Sequence, residues 1–193
     1  KSTLFSSVYI ENTGNTNFKI KALPAEAQFA PLFGISVTDV NEDGNLDVLT
    51  VGNSYASEPL SGLYDAAIGN YLRGDGRGNF EAVSLMESGF FVDGDAKAFA
   101  QLTLNDGKQV YLITQNRDSL KVFTKPNTQA NQQGEIIRIK PLETHAVIER
   151  KDGKKRKVEF YFGSGYLSSS SRTIVKDENV VAINVFSQND NQE

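Results

Sequence analysis

The stretch Asp39-Val40-Asn41-Glu42-Asp43-Gly44-Asn45-Leu46-Asp47 governs the interpretation of this chain. It reads D-x-N-x-D-G-x-x-D, which places oxygen-bearing side chains at loop positions 1, 3, 5 and 9 and a glycine at position 6. A loop with this spacing can wrap around Ca²⁺, and its glycine can adopt the positive φ of a sharp turn. We therefore expect a calcium site made by the side chains of Asp39, Asn41, Asp43 and Asp47 and the backbone carbonyl of Asn45.

The residues on both sides of this loop predict β-strands. Apolar residues alternate before it at Phe33, Ile35 and Val37, and the run Val48-Leu49-Thr50-Val51 follows it. An EF-hand would have helices on both sides and a glutamate at position 12, where this chain has Thr50. The loop is therefore predicted to join two strands. The alternative without a metal is a polar hairpin turn.

Composition limits the classes of protein to consider. The chain has 193 residues, of which 39% are hydrophobic, so a packed core is expected. Its net charge of -4 argues against a general affinity for nucleic acid. The absence of cysteine excludes disulfides, thiolate metal sites and cysteine nucleophiles. No apolar run in the sequence reaches the length of a membrane-spanning helix.

The sequence repeats itself. Tyr9 to Phe18 matches Tyr71 to Phe80 at an offset of 62 residues, and Asp43-Gly44 matches Asp106-Gly107 at an offset of 63. The repeat unit is predicted to contain four short strands, at Ile35 to Thr38, Asp47 to Gly52, Ile68 to Arg73 and Phe80 to Leu85. Four antiparallel strands per repeat are typical of a β-propeller blade.

The second copy of the loop has lost its oxygen ligands. Leu102, Leu104 and Val110 stand where the first copy has Asp39, Asn41 and Asp47, and only Asp106 is retained. We therefore expect one calcium site, with the three apolar residues buried or half-buried as packing residues.

Two motifs resemble a known family. The D-x-N-x-D-G-x-x-D loop and the segment Gly74-Asp75-Gly76-Arg77-Gly78-Asn79-Phe80 resemble the FG-GAP or VCBS repeats of integrin-α-type propellers. Gly163-Ser164-Gly165-Tyr166-Leu167-Ser168-Ser169-Ser170-Ser171 resembles the signature of the ASPIC/UnbV domain, which commonly follows such repeats in secreted or surface proteins. The Phe-Gly-Leu-Gly usual after this signature is replaced by Arg172-Thr173-Ile174-Val175.

The resemblance implies an all-β fold, with a partial β-propeller of about two four-stranded blades followed by a small β-domain. Fewer than three blades are too few to close a propeller, so we expect the chain to be the C-terminal part of a larger protein. The polar run 126–134 predicts a linker. We therefore divide the chain into residues 1–125, the propeller blades, and residues 126–193, the ASPIC/UnbV-like domain, with a hairpin turn at Lys151 to Lys154.

Signals for catalysis are weak. His145 is the only histidine, and no Ser-His-Asp arrangement can be assembled by spacing, so a strand-edge role is favoured over that of a general base. Arg150-Lys151 and Lys154 to Lys157 form a basic run that is predicted to be a solvated hairpin tip rather than a nucleic-acid contact. The sequence thus favours a protein that is not an enzyme.

The connection after Gly52 is a candidate ligand-binding loop. It is longer than the matching connection from Gln115 to Val122, and extra stretches on a repeat scaffold map to loops that tend to share one binding face. Its candidate ligand-binding residues are Tyr55, Glu58, Tyr64 and Asp65. The alternative for each tyrosine is that it packs over the adjacent strands.

Two classes of function remain open. The first is a non-catalytic, Ca²⁺-stabilised binding or adhesion module in an extracellular, periplasmic or cell-surface location, with a protein or glycan ligand and neither a nucleic-acid partner nor a membrane-spanning segment. The second is part of a polysaccharide-degrading enzyme whose active site lies in blades outside this chain.

Overall fold

The computed structural model describes residues 1, 3–58, 60, 62–125 and 135–188. Their regular structure is almost entirely β, which confirms the predicted fold class. The strands are β1 Val8–Gly14, β2 Asn17–Ala22, β3 Leu32–Thr38, β4 Asp47–Gly52, β5 Asn70–Gly74, β6 Phe80–Val83, β7 Ala96–Thr103, β8 Gln109–Gln115, β9 Lys121–Thr124, β10 Glu135–Arg138, β11 Glu143–Arg150, β12 Lys155–Glu159, β13 Thr173–Lys176 and β14 Val180–Ser187. A 3₁₀ turn at Ala25–Gln28 and a helical turn, α1 at Leu85–Ser88, complete the elements.

The first part of the chain forms three antiparallel sheets in sequence order. They are the hairpin β1-β2, the four-stranded meander β3-β4-β5-β6 and the three-stranded meander β7-β8-β9. The predicted four-stranded unit is therefore present, and β4 has the predicted bounds. Within the described residues none of the sheets closes on itself. The predicted linker, residues 126–134, lies outside the described residues.

Strand β6 ends at Val83, two residues before the predicted end, because helix α1 begins there. The Ser84 side chain accepts a hydrogen bond from the Glu87 backbone N–H, as an N-cap does. Gly89 adopts φ +63° and ends the turn by donating to the Leu85 carbonyl.

The last part of the chain forms two antiparallel sheets, β12-β11-β14 and β10-β13. The predicted hairpin turn joins β11 to β12, where the Arg150 N–H donates to the Lys154 carbonyl at 3.0 Å. Strand β12 begins at Lys155, directly after this turn, and β13 pairs with β10. His145 lies in the central strand β11 rather than at a sheet edge, and its ring stacks on Phe186.

Two hydrophobic clusters lie on opposite sides of the predicted boundary. The first includes Leu49, Val51, Phe99 and Ile113, and the second includes Ala146 and Ile148. In the first cluster β3 and β7 approach closely at Gly34, where an added Cβ would lie 2.7 Å from Phe99 Cβ. The glycine therefore allows adjacent sheets to share one core.

The serine-rich segment, Ser168 to Ser171, connects the two parts of the chain through hydrogen bonds. It runs along the open edge of β7, where Ser171 N–H donates to the Gln101 carbonyl at 2.8 Å. Ser170 Oγ accepts from the Gln101 N–H at 3.0 Å, and Ser171 Oγ accepts from the Thr103 N–H at 3.2 Å. Hydroxyl groups thus satisfy backbone donors that an uncovered sheet edge would leave unpaired.

This arrangement predicts the effect of removing the two hydroxyls. The double change Ser170→Ala with Ser171→Ala should lower the free energy of unfolding by about 2 kcal/mol, because two partly buried N–H groups lose their acceptors. The exposed neighbour Ser169 provides the control, and Ser169→Ala should change stability by less than about 0.5 kcal/mol. Urea denaturation measures both, and equal effects would show that the serine contacts do not stabilise the edge.

Candidate metal centre and ligand loop

The loop between β3 and β4 is held by its own side chains. Asp39 Oδ2 accepts from the Gly44 N–H at 2.9 Å, Asn41 Oδ1 from the Asp43 N–H at 3.3 Å, and Asp43 Oδ1 from the Asn45 N–H at 2.7 Å. Gly44 has φ +88°, as the sequence predicted for the sharp turn. Each of these side chains accepts from a backbone N–H two to five residues further along, which holds the loop in its turn.

The other oxygen of Asp39 has no partner. Asp39 Oδ1 is buried and forms no hydrogen bond with the described residues. Burial raises the pKa of the Asp39 carboxyl, and the nearby Asp43 adds to this, while the hydrogen bond from Gly44 and the charge of Lys125 act in the opposite direction. An uncompensated carboxylate oxygen in the first position of the loop fits a site that a bound cation would complete.

Asp47 has a structural task that the sequence did not reveal. Its side chain is completely buried, and Oδ2 accepts from the Val40 N–H at 2.9 Å and from Tyr71 Oη at 3.1 Å. Oδ1 accepts from the Gly74 N–H at 2.9 Å. Burial and the adjacent Asp47 raise the pKa of Tyr71 to about 12, so the hydroxyl remains a donor. Because a carboxylate offers about four acceptor positions, one remains for a metal, and Asp47 as a ligand stays a prediction.

The described residues contain no cluster of three or more His, Cys, Asp or Glu side chains that could hold a metal ion. Three of the loop's five candidate ligands, Asp39, Asp43 and Asp47, are carboxylates, and in this structure they do not form such a group. Its donor set would combine carboxylate, amide and carbonyl oxygens, which are the ligand types that Ca²⁺ accepts.

Basic residues surround the loop. Lys125 Nζ lies 3.2 Å from Glu42 Oε1, and Lys154 Nζ lies 3.5 Å from Asn45 Oδ1. The prediction that the basic run is a solvated tip is wrong for Arg150 and Arg156: Arg150 is 9% exposed and Arg156 is half-buried. No pattern in the sequence indicated this burial, because the sequence does not show which surface the hairpin faces.

The second copy of the loop is a turn held by Asp106, whose Oδ1 accepts from the Lys108 N–H at 3.1 Å. Val110 is buried and Leu102 is half-buried, as predicted for packing residues. Leu104 is 45% exposed, so the packing prediction is wrong at that position. It follows β7 and lies in the turn before β8.

Backbone hydrogen bonds close the candidate ligand loop at its base. Ser54 and Tyr64 exchange two backbone hydrogen bonds of 2.8 and 3.0 Å. The fully buried Asn53 side chain anchors both ends, because its amide group bonds the Ala67 N–H and carbonyl at 2.9 and 2.8 Å. Tyr55 and Tyr64 are 39% and 51% exposed, and Glu58 and Asp65 are exposed.

A cavity of about 510 Å³ lies beside Tyr55. Three connections line it, with residues Tyr55, Ala56, Asp93, Gly94, Asp95, Asn116, Arg117 and Asp118. Tyr55 Oη donates to the Asp93 carbonyl at 3.2 Å. Burial raises the pKa of the Tyr55 hydroxyl, and the charges of Asp65, Asp93, Asp95 and Asp118 raise it further. The charge of Asp65 thus acts on the Tyr55 hydroxyl. Glu58, Tyr64 and Asp65 are not among the residues that line this cavity.

Sequence reasoning missed the acidic residues of this cavity. A signal for part of it was present, because Asn116 occupies the place in the repeat that Asn53 has in the first copy. Asn116 Nδ2 donates to Asp95 Oδ2 at 3.1 Å, and Lys97 Nζ lies 2.6 Å from Asp95 Oδ1.

Comparison with known proteins found no match to a family model, a curated protein or a solved structure. No helix in the described part of the chain has both the length and the apolar character needed to cross a bilayer.

The contacts of the loop separate a structural aspartate from a ligand aspartate. Without calcium, Asp47→Ala should lower the free energy of unfolding by about 3 kcal/mol or more, because three buried donors lose their acceptor. Asp43→Ala should cost less than about 1 kcal/mol, since Asp43 is exposed. Denaturation in the presence of a chelator measures both, and equal losses would contradict this division.

The pKa shifts predict opposite pH effects at two aspartates. The pKa of Asp39 is raised, so its charged form disfavours folding above that pKa and the cost is relieved as pH falls through it. Asp39→Asn should therefore match or exceed the wild-type melting temperature at pH 7 in chelator. The pKa of Asp75 is lowered to about 2 by hydrogen bonds from Asn79 and Arg77, so Asp75→Asn should destabilise at pH 7 and lose its effect as pH falls through that value. Melting curves from pH 7 to 2 test both signs, and effects of the same sign would contradict this reading.

Proposed function

We propose that this protein is a non-catalytic binding module whose loop at residues 39–47 is stabilised by Ca²⁺. The observation that carries the proposal is the buried Asp39 Oδ1, which has no hydrogen-bond partner among the described residues, in the same loop as the hydrogen-bonded side chains of Asn41 and Asp43. When bound, Ca²⁺ would supply the positive charge that these oxygens lack. Asp39, Asn41, Asp43, Asp47 and the Asn45 carbonyl would hold it, and Asp47 also ties the loop to β5.

The proposed architecture is a partial β-propeller at residues 1–125 followed by an ASPIC/UnbV-like β-domain at 126–193. In support, β3-β4-β5-β6 is a four-stranded meander, and the sheets on either side repeat parts of it. Strands β1-β2 correspond to β5-β6 by the offset of 62, and β7-β8 correspond to β3-β4 by the offset of 63. In a larger protein, further blades would continue this series.

The loop chemistry supports an extracellular, periplasmic or cell-surface location. A site with few carboxylates and no bidentate glutamate at position 12 is expected to bind Ca²⁺ with a Kd of about 10⁻⁴ to 10⁻³ M, the range of extracellular modules. Cytosolic Ca²⁺ is too dilute to fill such a site.

The proposed ligand is a protein or a glycan, bound through Tyr55, Glu58, Tyr64 and Asp65. Both tyrosines present a partly exposed ring with a polar tip, which suits a sugar ring or a protein surface. The cavity beside Tyr55 is of the size that small ligands occupy. The three carboxylates that line it, those of Asp93, Asp95 and Asp118, favour neutral or basic ligands over acidic ones.

Calcium should raise the melting temperature of the wild-type protein, because binding to the folded form alone stabilises it. Calcium at 10 mM, about ten times the weakest expected Kd, should add roughly 1.4 kcal/mol. Asp43→Ala should remove most of the response, whereas Asp106→Ala in the second copy of the loop should retain it. Equal melting temperatures in calcium and in chelator would eliminate the site.

The role of the ligand loop is tested by the double change Tyr55→Ala with Tyr64→Ala. We expect capture of the ligand to fall at least tenfold on a glycan array or in a cell-surface pull-down, with a melting temperature close to that of the wild type. Tyr111→Phe is the control, because its buried hydroxyl lies far from this loop in the core of β8. A large loss of stability in the double variant would mean that the tyrosines pack rather than bind.

A further inference from the structure

The hairpin between β11 and β12 presents positive charge to the acidic loop. The Arg150 guanidinium packs on Gly44, where an added Cβ would lie 3.4 Å from Arg150 Nη2. Lys154, from the same hairpin, lies 3.5 Å from Asn45 Oδ1. The loop at residues 39–47 is therefore in contact with positively charged side chains from the second part of the chain.

Arg156, on strand β12, lines the same cleft as Asp39 of the loop. Its Nε and Nη1 are buried and form no hydrogen bond within the part of the chain that the structure describes. Burial and the charge of Arg150 lower the pKa of Arg156, while Asp39 and Asp177 act in the opposite direction. Asp39 and Arg156 both line one cleft of about 1760 Å³ between the two parts of the chain.

Complementary atoms are thus left unpaired on the two sides of this cleft. Asp39 Oδ1 belongs to the loop, and the two Arg156 nitrogens belong to β12. A cation in the loop would satisfy Asp39, but it would also face the charges of Arg150 and Arg156 at short range. In a partly buried site such charges are poorly screened.

We infer that Arg150 and Arg156 set the cation affinity of the loop, so that Ca²⁺ binding and docking of the β12-β11-β14 sheet oppose each other. The hairpin supplies part of the positive charge that Ca²⁺ would supply. This inference rests on the proposed calcium site. Because coupling between two sites is reciprocal, docking of the β12-β11-β14 sheet, which weakens Ca²⁺ binding, should itself be weakened when Ca²⁺ binds.

The test compares substitutions at two basic residues of strand β12, Arg156 and Lys157. Arg156→Gln removes the charge that faces the loop, and Lys157→Gln removes an exposed charge whose Nζ lies 2.8 Å from Glu159 Oε1. Both variants have the same net charge. Calorimetric titration with CaCl₂ should show Ca²⁺ binding to Arg156→Gln about tenfold more tightly than to the wild type. Lys157→Gln should stay within about twofold of the wild type.

Two further measurements keep the inference testable if Arg156→Gln folds poorly. Lys154→Gln changes an exposed side chain at the loop and should tighten Ca²⁺ binding by about twofold. In the wild type, Ca²⁺ should accelerate amide hydrogen exchange in β12 relative to the same protein in chelator.

The outcomes are distinguishable. Unchanged or weaker Ca²⁺ binding in Arg156→Gln, or equal tightening in Lys157→Gln, would overturn the inference and leave the calcium site intact. An absence of binding in the wild type and in every variant would remove the calcium site and the inference with it.

Discussion

The described structure of the first sheets depends on one buried carboxylate. Asp47 begins β4, and its two oxygens accept from the Val40 N–H in the loop, the Tyr71 hydroxyl in β5 and the Gly74 N–H at the end of β5. A fully buried carboxylate is expensive unless it is well hydrogen-bonded, and three donors offset that cost here. The same contacts fix where the loop lies relative to the sheet, so the calcium proposal depends on them.

The two copies of the loop show what the repeat retains. Both keep a hairpin with glycine at the turn, and Asp106 supports the second turn through the Lys108 N–H much as Asp43 supports the first through the Asn45 N–H. The first copy meets the basic hairpin and has a carboxylate oxygen with no hydrogen-bond partner among the described residues. The turn is thus a structural element of the repeat, and the proposed cation chemistry concerns the first copy.

Local chemistry made much of the fold predictable. The D-x-N-x-D-G-x-x-D spacing and the apolar alternation before it predicted the loop, the positive φ of Gly44 and the strands on both sides. Lys151 to Lys154 predicted the second hairpin turn. These features depend on neighbouring residues. Partners distant in sequence were not predictable. The serine-rich segment could not be assigned to the edge of β7, and Arg150 could not be placed against Gly44, because neither contact leaves a periodic pattern.

The candidate site divides in the same way. The sequence indicated candidate oxygen ligands and predicted the turn, but it could not show that Asp47 accepts from three donors or that Asp39 Oδ1 has no hydrogen-bond partner among the described residues. For the ligand loop, Tyr55 was found by its chemistry, whereas Asp93, Asp95 and Asp118 come from other connections and converge only in space. Burial and convergence are properties of the folded chain, so the sequence alone could not reveal them.

The most direct test of the calcium site is a crystal structure of the protein grown in CaCl₂, with anomalous difference density measured at a wavelength where calcium scatters. The proposed calcium site requires one peak in the loop, about 2.3–2.6 Å from Asp39 Oδ1 and within the same distance of oxygens from Asn41, Asp43 and Asn45. An absence of density there, with Asp39 Oδ1 paired directly to Arg156, would contradict it.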